Sequence, residues 1–219
     1  MLLKSPTHFE GGFWAAYSHL GAAHRLSSTE QETLTVEKKM YDDRRLVVKL
    51  NHTPLGLTNP VLRFTIELWS YELPVLLLRH TSENVSQDVV QNLSVFNIMD
   101  FDIGGPTSYN DDSARYEPES GTMCIYDDGG VYATLHSKPK ADAWEISTPL
   151  ALTTDRLGQL ENNLEDGPRD IATGLQWNHG DLAPGDSRTI EIVLSAGRSL
   201  NEVNELTADA WSFFAKRMR

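Results

Sequence analysis

The chain has one cysteine, Cys124, so no intrachain disulfide can form and a disulfide-stapled scaffold is excluded. Long apolar runs are missing as well. Segments such as residues 75–78 are far shorter than the about 20 residues a membrane-spanning helix needs. The opening Met1-Leu-Leu-Lys-Ser-Pro has no signal-peptide core, which with the lone cysteine gives an expectation of a cytoplasmic protein or a fragment of a larger one. Basic residues are scarce: 19 Lys and Arg face 31 Asp and Glu, for a net charge of −12. That balance argues against nucleic acid or an anionic membrane as the main partner. There is no phosphate-binding glycine loop, no dinucleotide fingerprint, no His-Glu-x-x-His, no Cys-x-x-Cys and no Gly-x-Ser-x-Gly elbow.

The acidic residues are concentrated. Residues 97–128 hold eight acids and one arginine, and residues 155–186 hold seven acids and two arginines. Together these windows account for the whole net charge.

Most of the remaining text alternates like β-strand. Leu34, Val36, Lys38 and Met40, then Leu46, Val48 and Leu50, predict a hairpin turning at Asp42-Asp43. Residues 61–71 and 75–80 are β-rich runs parted by Pro74, and the second is apolar on both faces, as a central covered strand is. Residues 89–101, 122–126, 131–135, 143–147, 171–177 and 189–195 add strands. Asp127-Asp128-Gly129-Gly130 supplies a hairpin turn, and Pro184-Gly185 a type II turn. Residues 8–26 fit either a short helix over 12–23 or an extended glycine-spaced segment. Residues 104–121 read as one long loop, and 150–167 as a region with a helix around 155–164.

The C-terminus differs. Ser199 and Glu202 form a capping box. Val203, Leu206, Ala210, Phe213 and Phe214 recur at helical spacing, and Lys216, Arg217 and Arg219 place positive charge at the negative end of the dipole. The expected fold is mainly β: a two-sheet, mostly antiparallel β-sandwich with a C-terminal α-helix (residues 199–217) docked on it, as one domain over residues 1–219.

The most unusual text is Asn97-Ile-Met-Asp-Phe-Asp-Ile-Gly-Gly-Pro. In a strand Asp100 and Asp102 share a face and repel unless a cation, an arginine or a shared proton intervenes. Asn110, Asp111 and Asp112 follow the turn and can fold back toward them. Oxygen ligands in that number suit Ca²⁺. The alternative is structural: the two aspartates cap the loop through backbone amides and pair with Arg115. A second cluster, Gln176-Trp177-Asn178-His179-Gly180-Asp181, has the residue types that hold a sugar, with stacking on Trp177 and hydroxyl bonds to Asn178, His179 and Asp181. Tyr109, in the acidic loop, joins these as a ligand-binding candidate. The plainer reading puts Trp177 in the core and His179 in a turn.

Asn84 and Ser86, then Asn97-Ile-Met-Asp-Phe-Asp-Ile-Gly-Gly, then a Tyr/Asp loop, then Leu182-Ala-Pro-Gly-Asp-Ser before a late strand, give a pattern. It resembles the large β-sandwiches of the galactose-mutarotase-like kind, including those appended to glucoamylases. The resemblance covers residues 60–200 and implies a carbohydrate-related role by analogy, with no catalytic residue carried over.

Three functions compete. The favoured expectation is a non-enzymatic sandwich that binds a polar ligand, a carbohydrate first, with Ca²⁺ ordering the 100–112 loop. The next is an interaction or homo-oligomeric assembly protein using the sheet edge or the terminal helix. The third is an acid–base enzyme on a carbohydrate-like substrate, using Asp100, Asp102, Asp181 and His179.

Overall fold

A computed structural model describes residues 2–4, 9–26, 33–70, 73–105, 108, 110–149, 151–152 and 159–217. The strands run β1 (Leu2–Lys4), β2 (Phe9–His19), β3 (Ala22–Leu26), β4 (Leu34–Tyr41), β5 (Arg45–His52), β6 (Leu62–Ser70), β7 (Val75–Asn84) and β8 (Val90–Asp100). They continue with β9 (Ser113–Glu117), β10 (Thr122–Tyr126), β11 (Tyr132–Lys138), β12 (Ala143–Ser147), β13 (Glu165–Asp166), β14 (Ala172–Leu182) and β15 (Ser187–Gly197). Among the described residues one helix, α1 (Leu200–Arg217), follows β15. All of these strands pair antiparallel, in a six-stranded sheet ordered β1-β2-β8-β14-β12 with β3 also on β2, and a nine-stranded sheet ordered β13-β9-β10-β11-β15-β7-β6-β5-β4.

Alternation along each strand separates a core face from an outer face. Phe13, Val95, Leu175 and Trp177 of the smaller sheet meet Leu62, Phe64, Ile66, Ile125, Leu135 and Ile190 of the larger one in the main core. This is the mainly-β, two-sheet sandwich that the alternation predicts, and β7 is central as its two apolar faces require. The outer face of the smaller sheet is apolar at Trp14, Phe96, Ile98 and Ala172, and is covered by Leu152 and Leu160. The outer face of the larger sheet is apolar at Trp69, Val75, Leu77 and Val193, and is covered by α1 through Leu206, Ala210, Trp211 and Phe214.

The helix starts as its capping box demands. The Glu202 backbone N–H donates to Ser199 Oγ at 3.2 Å, and Glu202 Oε2 accepts from the Arg198 N–H at 2.7 Å. Cations hold the aromatic contact. The Arg45 and Arg79 guanidinium carbons lie 5.3 and 5.9 Å from the Trp69 ring, and Arg79 lies 5.8 Å from Phe214.

One open reading closes and two expectations change. Residues 9–26 form the β2–β3 hairpin and not a helix, and residue 8 lies outside the described residues. Gly11 has φ of 122°, and a Cβ there would lie 2.5 Å from the Ile98 carbonyl oxygen, so this glycine permits the close approach of β2 to β8. The long loop 104–121 contains β9, because Ala114 and Tyr116 reach the core once β10 offers a partner in register. Of the helix expected around 155–164, residues 153–158 lie outside the described residues, and 159–164 are not helical. Asn162 and Asn163 instead satisfy the free edge of β12, accepting the Trp144 and Ile146 N–H groups at 2.9 Å each.

Phe214 is 2% exposed between Trp69 and Trp211. Phe214→Ala is expected to lower unfolding free energy by about 3 kcal/mol in urea denaturation, the scale for a buried phenylalanine. A loss under about 1 kcal/mol would show that α1 is not integral to the folded unit.

Candidate functional site

The sequence-predicted residues do not assemble into one site. Asp100 ends β8 opposite Ala172, whereas Leu182 at the other end of β14 is opposite Val90. Nine residues of strand therefore separate the level of Asp100 from Asp181, about 30 Å at the strand rise. Carboxylate pairs in glycoside chemistry stand about 5–10 Å apart, so these two cannot act as a pair. Trp177 is buried in the core and donates its indole N–H to the Pro139 carbonyl at 3.0 Å. Asn178 points to the opposite, outer face and accepts from Gln176 and Ser94 at 2.7 and 2.9 Å. His179 turns inward again, half-buried, and burial lowers its pKa. Asp181 is exposed and accepts the Asn92 N–H at 3.0 Å. The alternation of β14 thus splits this cluster between two faces, and Trp177 is the core residue of the plainer reading.

In the acidic loop, Tyr109 lies outside the described residues. Asp102 and Asn110 are exposed, and Asp111 accepts from Ser108 Oγ at 2.7 Å. Asp112 is buried, and its Oδ2 accepts the Ile103 N–H at 3.3 Å. Burial, followed by the charges of Asp111, Asp102 and Asp127, pushes its carboxyl up to about 7 against the Ile103 hydrogen bond. Among the described residues no cluster of three or more His, Cys, Asp or Glu side chains is arranged to hold a metal ion. Arg115 does not pair with Asp100 or Asp102; it projects from the outer face of the large sheet.

That outer face carries a different constellation. Beside α1, the strands β9, β10 and β11 leave a cleft of about 600 Å³. Register dictates its floor, because directly opposed residues in antiparallel strands share a face. Arg115, Cys124 and Thr134 form one cross-strand row, and Glu117, Thr122 and His136 form the next. Lys138 follows two residues beyond His136. α1 supplies the wall with Asn204, Thr207 and Trp211. Thr207 Oγ bonds Ser195 Oγ at 2.9 Å, which anchors that wall to β15.

Trp211 ties wall to floor. Its indole N–H donates to His136 Nδ1 at 2.8 Å, and the Lys138 ammonium lies 4.1 Å from the Trp211 ring centroid. Burial and then the Lys138 charge lower the His136 pKa, while a hydrogen bond with the Ser120 backbone works the other way. His136 is therefore a neutral imidazole with Nδ1 as acceptor and its proton on Nε2. Cys124 is buried at the floor, and burial raises its thiol pKa although Arg115 beside it acts in the opposite sense. It is not an activated nucleophile. At the rim, Lys140 Nζ bonds the Pro118 and Glu119 carbonyls and holds the β9–β10 turn.

A signal for this site was present in the text. Thr134, His136 and Lys138 alternate with Ala133, Leu135 and Ser137, and Arg115 and Glu117 alternate with Ala114 and Tyr116. Taken as β9, residues 113–117 place their polar members on one outward face.

No family profile matches the sequence, and no curated protein matches it. Solved structures do resemble it. A provisionally assigned aldose 1-epimerase from Escherichia coli K12 superposes with a TM-score of 0.51 at 11% identity, over 84% of this chain and 79% of that one. A GalM/aldose epimerase homologue from C. elegans gives 0.54 at 8% identity, over 84% and 78%. A provisionally assigned kojibiose phosphorylase from the human microbiome gives 0.53 at 8% identity, over 95% of this chain but 26% of that one. At such identities the likeness shows the fold: that of the galactose-mutarotase-like sandwiches, as the sequence resemblance implies. It also corrects the expectation of a non-enzymatic binder, since the fold is one that aldose epimerase homologues use. No described helix is long and apolar enough to cross a membrane.

Two measurements check these environments. Trp211→Phe removes the donor that occupies His136 Nδ1, so the His136 pKa is expected to rise toward 6.5 in an NMR titration; an unchanged or lower value contradicts the contact. For Asp112 the folded pKa lies above the unfolded one, so its contribution to stability is complete below 3.8 and is lost as pH rises through about 7. Relative to Asp112→Asn, the native chain is expected to lose stability over that range in urea melts, and a flat difference would contradict the burial.

Proposed function

We propose that the chain is a carbohydrate-active enzyme that moves protons on a sugar in the cleft between β9–β11 and α1. The observation that carries this is the convergence of the Glu117 carboxylate, the neutral imidazole of His136 and the Trp211 indole in that one cleft. Glu117 and His136 are two strands apart in one row, so their Cα atoms are about 10 Å apart. A pyranose ring fits between the two side chains. Epimerisation at the anomeric carbon needs a base for the anomeric hydroxyl and a donor for the ring oxygen, so that the ring opens and recloses on either face. Glu117 is the base in this reading, and the His136 Nε2–H, turned from the Ser120 backbone to the ring oxygen, stabilises the charge that develops there while water protonates it and recovers the proton from Glu117. Trp211 orients His136 and offers an aromatic surface at the cleft wall. The aldose epimerase homologues of the same fold support this reaction class.

The test is interconversion of α and β anomers followed by NMR, over hexoses, pentoses, uronic acids and sugar phosphates. The chain is expected to accelerate exchange above the buffer rate for at least one of them. Glu117→Gln and His136→Ala are each expected to lower that rate by about 10²–10⁴ with the fold intact by circular dichroism. No acceleration for any sugar would refute the assignment, and so would a rate insensitive to both substitutions.

A further inference from the structure

The outer face of the large sheet treats its arginines in two different ways. On the far side of α1 every arginine is matched. Arg45 bonds Glu67 at 2.6 Å, Arg63 bonds Glu37 and Glu83 at 2.8 and 3.4 Å, and Arg79 bonds Glu191 at 2.6 Å with Glu67 at 3.6 Å. In the cleft neither cation is matched. Among the described residues Arg115 and Lys138 have no carboxylate within ion-pair distance. The Arg115 guanidinium meets the Cys124 thiol, and the Lys138 ammonium sits over the Trp211 ring. Glu191 is opposite Lys138 in register but is already held by Arg79.

Position adds to the contrast. Arg115 lies one row to one side of the Glu117–His136 row, and Lys138 lies one row to the other. Each row is about 7 Å from the next along the strands, close to the width of one sugar ring. The two unmatched cations therefore bracket the reacting row. In a chain of net charge −12 the surrounding field repels anions unless local cations select them.

We propose that the cleft takes a carbohydrate bearing an anionic group, a carboxylate or a phosphate, held by Arg115 or Lys138 while the ring lies over the Glu117–His136 row. Arg115 offers a bidentate fork for either group, and Lys138 offers a point charge. This inference rests on the enzyme reading above and deepens it by naming the substrate class.

Isothermal titration calorimetry on the full chain would compare glucose, glucuronate, glucose 6-phosphate and inorganic phosphate at low and high salt. Glucuronate or glucose 6-phosphate is expected to bind at least about tenfold more tightly than glucose, with the advantage shrinking as salt rises. Comparison of those two separates a carboxylate from a phosphate. Arg115→Gln is expected to abolish or sharply reduce the preference while glucose affinity holds, Arg115→Lys to restore part of it, and Lys138→Gln to reduce the preference further. Glucose binding as tightly as both anionic sugars would overturn the proposal and leave the enzyme reading standing. Inorganic phosphate matching glucose 6-phosphate would overturn it too, by showing that the ring contributes nothing. Absence of binding by any sugar, with no anomer exchange, would fail both readings together.

Discussion

Val75, Leu77, Trp69 and Val193 make an apolar strip on the outside of a sheet whose inner face already fills the core. Such a strip cannot be left in water without cost, since each large apolar side chain gains about 1.5–3 kcal/mol on burial. α1 covers it with Ala210, Phe214 and Leu206, and the rest of the outer face is organised around that contact. On one side the helix abuts Arg45, Arg79, Glu67 and Glu191, whose charges satisfy one another around the aromatic seam. On the other side it rests on β11 through Thr207 and Trp211 and leaves β9 and β10 uncovered, and the step from helix to sheet is the cleft. Trp211 sits on that step, half in the apolar seam with Phe214 and half in the cleft against His136 and Lys138. The cleft chemistry therefore depends on a packing contact made for another reason.

The concentrated negative charge takes on a divided meaning in three dimensions. The two acidic windows do meet in part: β13 pairs with β9, the Arg169 N–H donates to the Asp112 carbonyl, and burial, followed by the Asp102 charge, raises the pKa of Asp170. Asp181 and Asp186 belong to the opposite end of the sandwich, against Asn92 and Ala183. The charge is thus not one continuous acidic face. Glu117 and Glu119 are the members of the first window that reach the cleft, where Arg115 and Lys138 stand beside them.

Much of the fold was legible because alternation and turn chemistry are local. The β4–β5 and β10–β11 hairpins carry their turns in the text, and Ser199 with Glu202 marks the start of α1. β9 was not legible, because five residues between turn signals become a strand only when a neighbour supplies a register. The segment at 8–26 was ambiguous because its glycines and alanines fit two periods, and the approach of β2 to β8 at Gly11 settles it. For the site, proximity along the chain misled. Trp177, Asn178, His179 and Asp181 are neighbours in sequence, yet a pleated strand sends consecutive side chains to opposite faces. Arg115, Glu117, His136, Lys138 and Trp211 are far apart in sequence and meet through cross-strand register and one docked helix.

By itself the sequence determined the sandwich, the terminal helix and its apolar face, and the absence of disulfide and nucleotide-loop chemistry. Those follow from periodicity, capping and composition, which act within a few residues. Tertiary structure alone decided which polar residues share a cleft, which cations are neutralised and which are left open, and that Asp100 and Asp181 stand at opposite ends of a strand pair. The reason is physical. Those properties belong to register and to packing between elements, and each pairing is chosen by the burial of whole apolar faces, which no single stretch of sequence contains.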